Sequence, residues 1–346
     1  MKHSESFGYF LLFSAMYTRY FGLTEKPFAI APNPRFLYMS ELHREALAHL
    51  LYGINGEGCI ILFTGGVGTG KTTVCRCLIE QLPEATDVAL ILNPKLSIAD
   101  LLKTICEELC IVISEQNPTN KDYIDGLNAY LLEAHSKGRI TAVIIDEAQN
   151  LDIEVLEQLR LLTNLETDTQ KLLQIVLIGQ PELRDILKVP ALLQVSQRIT
   201  TRYHLDSLQA GDVAAYIQHR ITVAGGDPRN LAVSDNVVRI INKHSGGIPR
   251  LINVICDRAL LGAYAENKAY IDAAIVKKAV REVTVADSKN KFTTSKIIIT
   301  GLVTLLLLLP LFFYVALSRD STFLGEKIDR LFPDTALEIL KGSDGK

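Results

Sequence analysis

Between Gly65 and Thr72 the chain reads GGVGTGKT. This fits G-x-x-x-x-G-K-[ST], a pattern whose chemistry is the cradling of polyphosphate. Gly65, Gly66, Gly68 and Gly70 let the backbone curl until several N–H groups point inward, with Val67 and Thr69 between them. Lys71 is placed to reach the β- and γ-phosphates, Thr72 to ligate Mg²⁺, and Thr73 to complete the cradle. A second set, AVIIDEAQN from Ala142 to Asn150, ends an apolar strand in two carboxylates. Asp146 can hold the hydration shell of Mg²⁺, and Glu147 can orient an attacking water or take its proton. An acidic pair after a strand also serves as a turn or a helix cap; its meaning comes from the company of Gly65–Thr72. One further strand intervenes, and together with the adjacent glutamate this favours a water-activating ATPase over a small-GTPase layout. The guanine pattern N-K-x-D is absent, since NKHS at Asn242–Ser245 lacks the aspartate. The expected ligands are ATP and Mg²⁺.

Three more polar positions fall where such chemistry would use them. Gln180, in GQPEL after an apolar strand, would sit beside Asp146 and sense the γ-phosphate, or else start a helix. Arg198 and Arg202, in VSQRITTRYHL, flank the start of the last strand. An arginine there can face a neighbouring subunit's γ-phosphate in a ring-forming ATPase, with Arg198 better placed; the alternative is a surface ion pair. In SGGIPRLIN, Gly246 and Gly247 break one helix, Pro249 suits the first turn of the next, and Arg250 projects from its start. Arg250 can touch nucleotide or cap the preceding helix.

Short apolar runs alternating with helical patterns must position these groups. Strands are expected at Cys59–Thr64, Val88–Leu92, Ala142–Ile145, Leu172–Ile178 and Thr200–Leu205, apolar on both faces as buried parallel strands are. Helices are expected at Lys71–Gln81, Ile98–Cys110, Tyr123–His135, Leu151–Leu162 and Glu182–Leu187. The alternation predicts an α/β fold with a doubly wound parallel five-stranded sheet over 56–205. Before it, 16–55 forms a proline-punctuated strap and a helix capped by Ser40. After it, four helical segments near Ala210–Val223, Ser234–His244, Pro249–Ala265 and Asp272–Thr284 form a small all-helical lid, 206–285. A polar linker, 286–296, follows.

The 346 residues are enough for two domains. A net charge of −3 argues against a protein built to coat nucleic acid. The six cysteines match no common zinc spacing, and Cys106 and Cys110, four apart on one helix, read as small buried hydrophobes. Residues 1–15 read as a disordered or over-extended start, not an export signal.

From Ile297 to Leu317 run 21 uncharged residues, about 31 Å as a helix, which matches a bilayer core of ~30 Å. Six Lys/Arg lie in the 20 residues before the run and three in the 20 after, placing the N-terminal side in the cytoplasm. The tail 318–346 contains FLGEKIDRLF, whose Phe323, Leu324, Ile328, Leu331 and Phe332 share a helical face suited to a membrane surface or a partner.

At its motifs the chain resembles the AAA+ ATPases, and within them the general secretion pathway protein A (GspA/ExeA) family and its pilus-biogenesis relative MshM. The resemblance is carried by YFGLTEKPFAIAPNPRFLYMSELHREALAHLLYGI, VGTGKTTVCRCLIEQLP, IIDEAQNL, LRLLTNLET, IVLIGQPEL, QRITTRYHL and SGGIPRLINVICDRALLGAYAE. It implies a P-loop NTPase fold, ATP hydrolysis at a ring-type subunit interface, and a sensor-2 arginine at Arg250. It further implies an ATPase held at the bacterial inner membrane by one span, with an inner-membrane partner in type II secretion, with its secretin, or type IV pilus assembly. Gln180 departs from the asparagine or threonine that many AAA+ proteins carry there. Two other functions remain open at this point: a DNA-associated ATPase of the transposition or initiator type, and a nucleotide-dependent scaffold with little turnover.

Overall fold

Ile60 to Gly65 is a largely apolar strand, and all six of its residues are buried. A strand covered on both faces belongs inside a parallel sheet flanked by helices. In the computed structural model this strand, β1, lies between two neighbours within a five-stranded sheet. The others are β2 (Thr86–Ile91), β3 (Ile140–Ile145), β4 (Leu173–Gly179) and β5 (Ile199–Leu205), in the order β2-β3-β4-β1-β5 with every pair parallel. The structure describes residues 17–284 apart from 57, 93, 168–169, 228, 230 and 232.

Strand residues alternate between two cores. Ile60, Leu62, Val143, Ile145, Ile175 and Leu177 face α3 (Ile98–Glu108), α4 (Asn120–Ser136) and α5 (Ile153–Leu162). Ile61, Phe63, Ala142, Ile144, Val176 and Ile178 face α1 (Glu41–Asn55) and α2 (Lys71–Gln81). The result is a three-layer α/β/α sandwich. Two short helices, α6 (Glu182–Ile186) and α7 (Leu193–Gln197), lead from β4 into β5. The lid helices are α8 (Asp212–Val223), α9 (Asp235–Ser245), α10 (Pro249–Ala265) and α11, residues 273–284.

Three details differ from the sequence reading. β5 is an edge strand, so Thr200 and Arg202 are exposed and only its two end residues are fully buried. α4 begins at Asn120, three residues early, because Thr119 and Asp122 form a capping box. α3 stops at Glu108, and Cys110 follows in a left-handed conformation (φ 57°), exposed, while Cys106 is buried as expected.

The described residues up to Arg281 form one compact unit. Among the described residues no helix is long and apolar enough to cross a membrane. The expected apolar span 297–317, the linker 286–296, the tail 318–346 and the start 1–15 lie outside the described residues.

Candidate functional site

In open parallel sheets, ligands bind beyond the carboxyl ends of the strands, where the chain's winding direction reverses. Here β1 is that point: the chain leaves it for the far edge strand β2, returns through β3 and β4, and then adds β5 on the other side. Register aligns the strand ends, with Thr64 opposite Gly179 and Ile145 opposite Leu177. Gly65, Asp146 and Gln180 therefore emerge side by side.

The loop after β1 has the shape its glycines were expected to allow. Gly68 and Gly70 have φ of 79° and 108°, which L side chains rarely adopt. A Cβ on Gly68 would also stand 2.7 Å from Cβ of Arg250. Lys71, 6% exposed, turns its ammonium back to donate to the carbonyls of Gly65 (3.0 Å) and Gly66 (3.1 Å). Burial holds its pKa below the ordinary lysine value, while the charges of Glu147, Asp146 and Glu182 oppose that shift. Val67 to Thr73 line a cavity of about 200 Å³ at this end of the sheet.

Thr72 Oγ1 donates to Asp146 Oδ2 at 2.8 Å, and Asp146 is 3% exposed. A hydroxyl and a carboxylate, both oxygen donors, suit a small hard cation that takes its other ligands from phosphate and water. No group of three or more His, Cys, Asp or Glu side chains that could hold a metal occurs among the described residues.

Glu147 has φ 54°, uncommon for this residue type, and its N–H donates to Asp146 Oδ1 at 2.9 Å. Its Oε2 accepts from Gln149 Nε2 (2.6 Å) and from Gln180 Nε2 (3.3 Å), while the Gln180 N–H donates to Gln149 Oε1 (3.0 Å). Gln180 thus reaches the cavity and touches the expected water-activating carboxylate; Glu147 lines the cavity as well. Gln149, two residues after Glu147 in a 3-10 turn, was missed in the sequence.

Arg250 lies where the lid meets the loop. Pro249 occupies the first turn of α10, and the Arg250 N–H donates to the Gly68 carbonyl at 3.2 Å. Gly246 and Gly247, both at positive φ, end α9 just before it. The Leu208 carbonyl comes so near Gly247 that any Cβ there would overlap it, at 2.1 Å. Arg198 stays outside this cavity and donates to Asn164 Oδ1 at 3.1 Å; Arg202 donates to Ser196.

The remaining walls come from elsewhere in the chain. The strap supplies Ala31, Pro32, Asn33, Phe36, Leu37 and Tyr38; the lid supplies Tyr216, Arg220 and Asn253. His43, from α1, is 3% exposed, and its Nδ1 shares a 2.6 Å hydrogen bond with Ser40 Oγ. Its Nε2 faces the loop at Gly70. Burial lowers its pKa below the ordinary histidine value, against the pull of the Thr69 backbone and Asp212. Neither His43 nor Arg220 was picked out from the sequence.

The AAA domain family matches residues 54–187. General secretion pathway protein A of Aeromonas hydrophila is 51% identical over 273 residues, covering 78% of this chain and 48% of that protein. The chain thus spans about half the length of that relative. Among solved structures, Cdc6p of Pyrobaculum aerophilum aligns with TM-score 0.57 and 18% identity over 72% of this chain and 70% of that one. The ORC2 protein of Aeropyrum pernix aligns with TM-score 0.51 and 21% identity, over 70% and 66%. At these identities the structural likeness shows the fold alone. The chain carries an AAA domain on a P-loop α/β sheet and is, as its motifs indicated, a relative of general secretion pathway protein A.

Proposed function

We propose that the chain binds MgATP in the cavity over β1 and hydrolyses it. The observation that carries this reading is the convergence of Lys71, Thr72 and Glu147 on one cavity of about 200 Å³ beside a glycine-built phosphate loop, with Asp146 bonded to Thr72 behind it. In this reading Lys71 leaves the carbonyls of Gly65 and Gly66 for the β- and γ-phosphates. Thr72 and Asp146 hold Mg²⁺, which supplies charge neutralisation on the phosphates. Glu147 accepts a proton from the water that attacks the γ-phosphorus; the bond from that phosphorus to the β-γ bridging oxygen breaks, giving ADP and phosphate. Gln180 contacts Glu147 and reads the γ-phosphate, and Arg250 brings the lid onto the nucleotide.

The test is a pair of variants. Lys71→Ala should lose MgATP binding by about 100-fold or more, while Glu147→Gln should bind MgATP near normally and turn over about 100-fold more slowly. Near-normal turnover by Glu147→Gln would remove Glu147 from the water-activating role.

The same reading extends to assembly. Arg198 lies outside its own chain's cavity, as a residue serving a neighbour's site would, and we infer a ring in which it completes the adjacent ATP site. Mixed Arg198→Ala and Lys71→Ala subunits should then recover part of the activity that neither has alone, because one kind of interface keeps both an intact loop and an intact arginine. No recovery in verified mixed assemblies would count against it. The run 297–317 and its flanking charges support an ATPase held at the bacterial inner membrane by one span, its ATPase part in the cytoplasm; the relative's name supports a role in secretion. There it would work with a membrane partner in secretion or pilus assembly.

A further inference from the structure

Arg220 is the one strongly basic side chain among the described residues that is buried by the lid rather than by the phosphate loop, at 7% exposure. Its partners are unusual for a buried cation. Nε donates to the Pro27 carbonyl (2.5 Å), one terminal nitrogen to the Ala29 carbonyl (3.1 Å) and the other to the Tyr216 hydroxyl (3.2 Å). All three acceptors are neutral. The guanidinium also lies over the rings of Phe36 (4.9 Å) and Tyr216 (5.7 Å). A cation buried against neutral acceptors is harder to keep than an apolar side chain of similar size, so stability alone does not account for it.

Its place in the cavity gives the account. The phosphate loop fixes one end of a bound nucleotide, which leaves the base for the walls that the loop does not form. Those walls are the strap at Phe36 and Leu37 and the lid at Tyr216 and Asn253. From Phe21 to Met39 the strap has little regular structure: a 3-10 turn, Pro34–Phe36, that begins on a proline. What holds its carbonyl row is a pair of arginines: Arg220 from the lid takes Pro27 and Ala29, and Arg76 from α2 takes Pro32 at 2.6 Å. The Tyr216 hydroxyl, bonded to Arg220, passes its own hydrogen to Asn253 Oδ1 at 2.8 Å.

Resting on the ATP-binding reading above, we propose that Arg220 is a positioning residue for the base end of the nucleotide. It pre-forms an apolar, aromatic wall from strap and lid that selects a large flat base, a purine, over a pyrimidine or a bare triphosphate. Only a planar fork reaches three acceptors in different directions while lying flat on a ring, which is why lysine would not replace it.

The experiment compares three magnesium-bound probes on the full-length protein: ATP, CTP and inorganic tripolyphosphate. Arg220→Met should weaken ATP by about 10–100-fold, leave tripolyphosphate within about twofold, and bring ATP and CTP to near-equal affinity. Arg220→Lys should fall between Met and wild type, and it decides by the same ratios should the Met variant fail to fold. Equal weakening of ATP and tripolyphosphate, or an unchanged preference for ATP over CTP, overturns the proposal. Failure of the wild-type protein to bind either ATP or tripolyphosphate would instead overturn the ATP-binding reading itself, before any variant is measured.

Discussion

The two ends of the cavity are built in opposite ways. The phosphate end is one contiguous loop, Gly65 to Thr73, whose shape follows from its own glycines and from the strand and helix it joins. The base end is gathered from segments about 190 residues apart: strap residues near Ala29 and lid residues near Arg220. The first kind of site has almost no tolerance, because its backbone is both ligand and scaffold. The second distributes its role over side chains, so its loss should be graded. On the proposed reading, local geometry holds the phosphates, and long-range packing holds and selects the base.

Gly68→Ala should break the phosphate end most severely. Its φ of 79° is disfavoured for alanine, and the added methyl collides with Cβ of Arg250. ATP and tripolyphosphate should weaken together, by about 100-fold, in equilibrium titrations. Equal but small losses would mean that the loop adapts, and the contrast between the two ends would fail. The base-selective loss expected for Arg220→Met lies next in size.

The smallest effect concerns His43, which links α1 to the loop. Its folded pKa is depressed, so the unfolded chain binds a proton more readily. Stability is then fully present above about pH 6.5, the unperturbed value, and declines as pH falls below it until the folded form also protonates. His219, lowered by burial and by Arg220, acts in the same direction. The carboxylates held down by ion pairs, such as Asp87 beside Arg139, act only near and below about 3.8. His43→Gln should therefore flatten, without abolishing, a fall of a few degrees in Tm between pH 7 and 5. An unchanged slope would remove His43 from that window.

The same contrast explains what the sequence disclosed. Lys71, Thr72, Asp146 and Glu147 were legible because each motif holds its own spacing and sits at the end of an apolar strand. The parallel five-stranded sheet followed from alternation, and Arg250 stood out after a Gly-Gly-x-Pro break; the strand order came only with the structure. Arg220 was not legible: its meaning depends on Pro27 and Ala29, which no periodicity connects to it. Gln149 was hidden because a left-handed turn at Glu147, not a regular repeat, aims it back. Cys110 was misplaced because α3 ends two residues earlier, and a residue just past a helix end no longer shares its buried face.

The strap's distant partners also order events during synthesis. Thr24 bonds to Ala224, Arg220 to Pro27, and Tyr17 to Asp257. None of these contacts can form until the lid has left the ribosome, whereas all five strands are available once the chain reaches Leu205. Thr24 must wait for its partner through the emergence of 200 further residues. Contacts of such high sequence separation close slowly and late. A nascent chain would thus complete its phosphate loop first and its nucleotide preference last. Closure of the strap would mark the end of folding rather than its beginning.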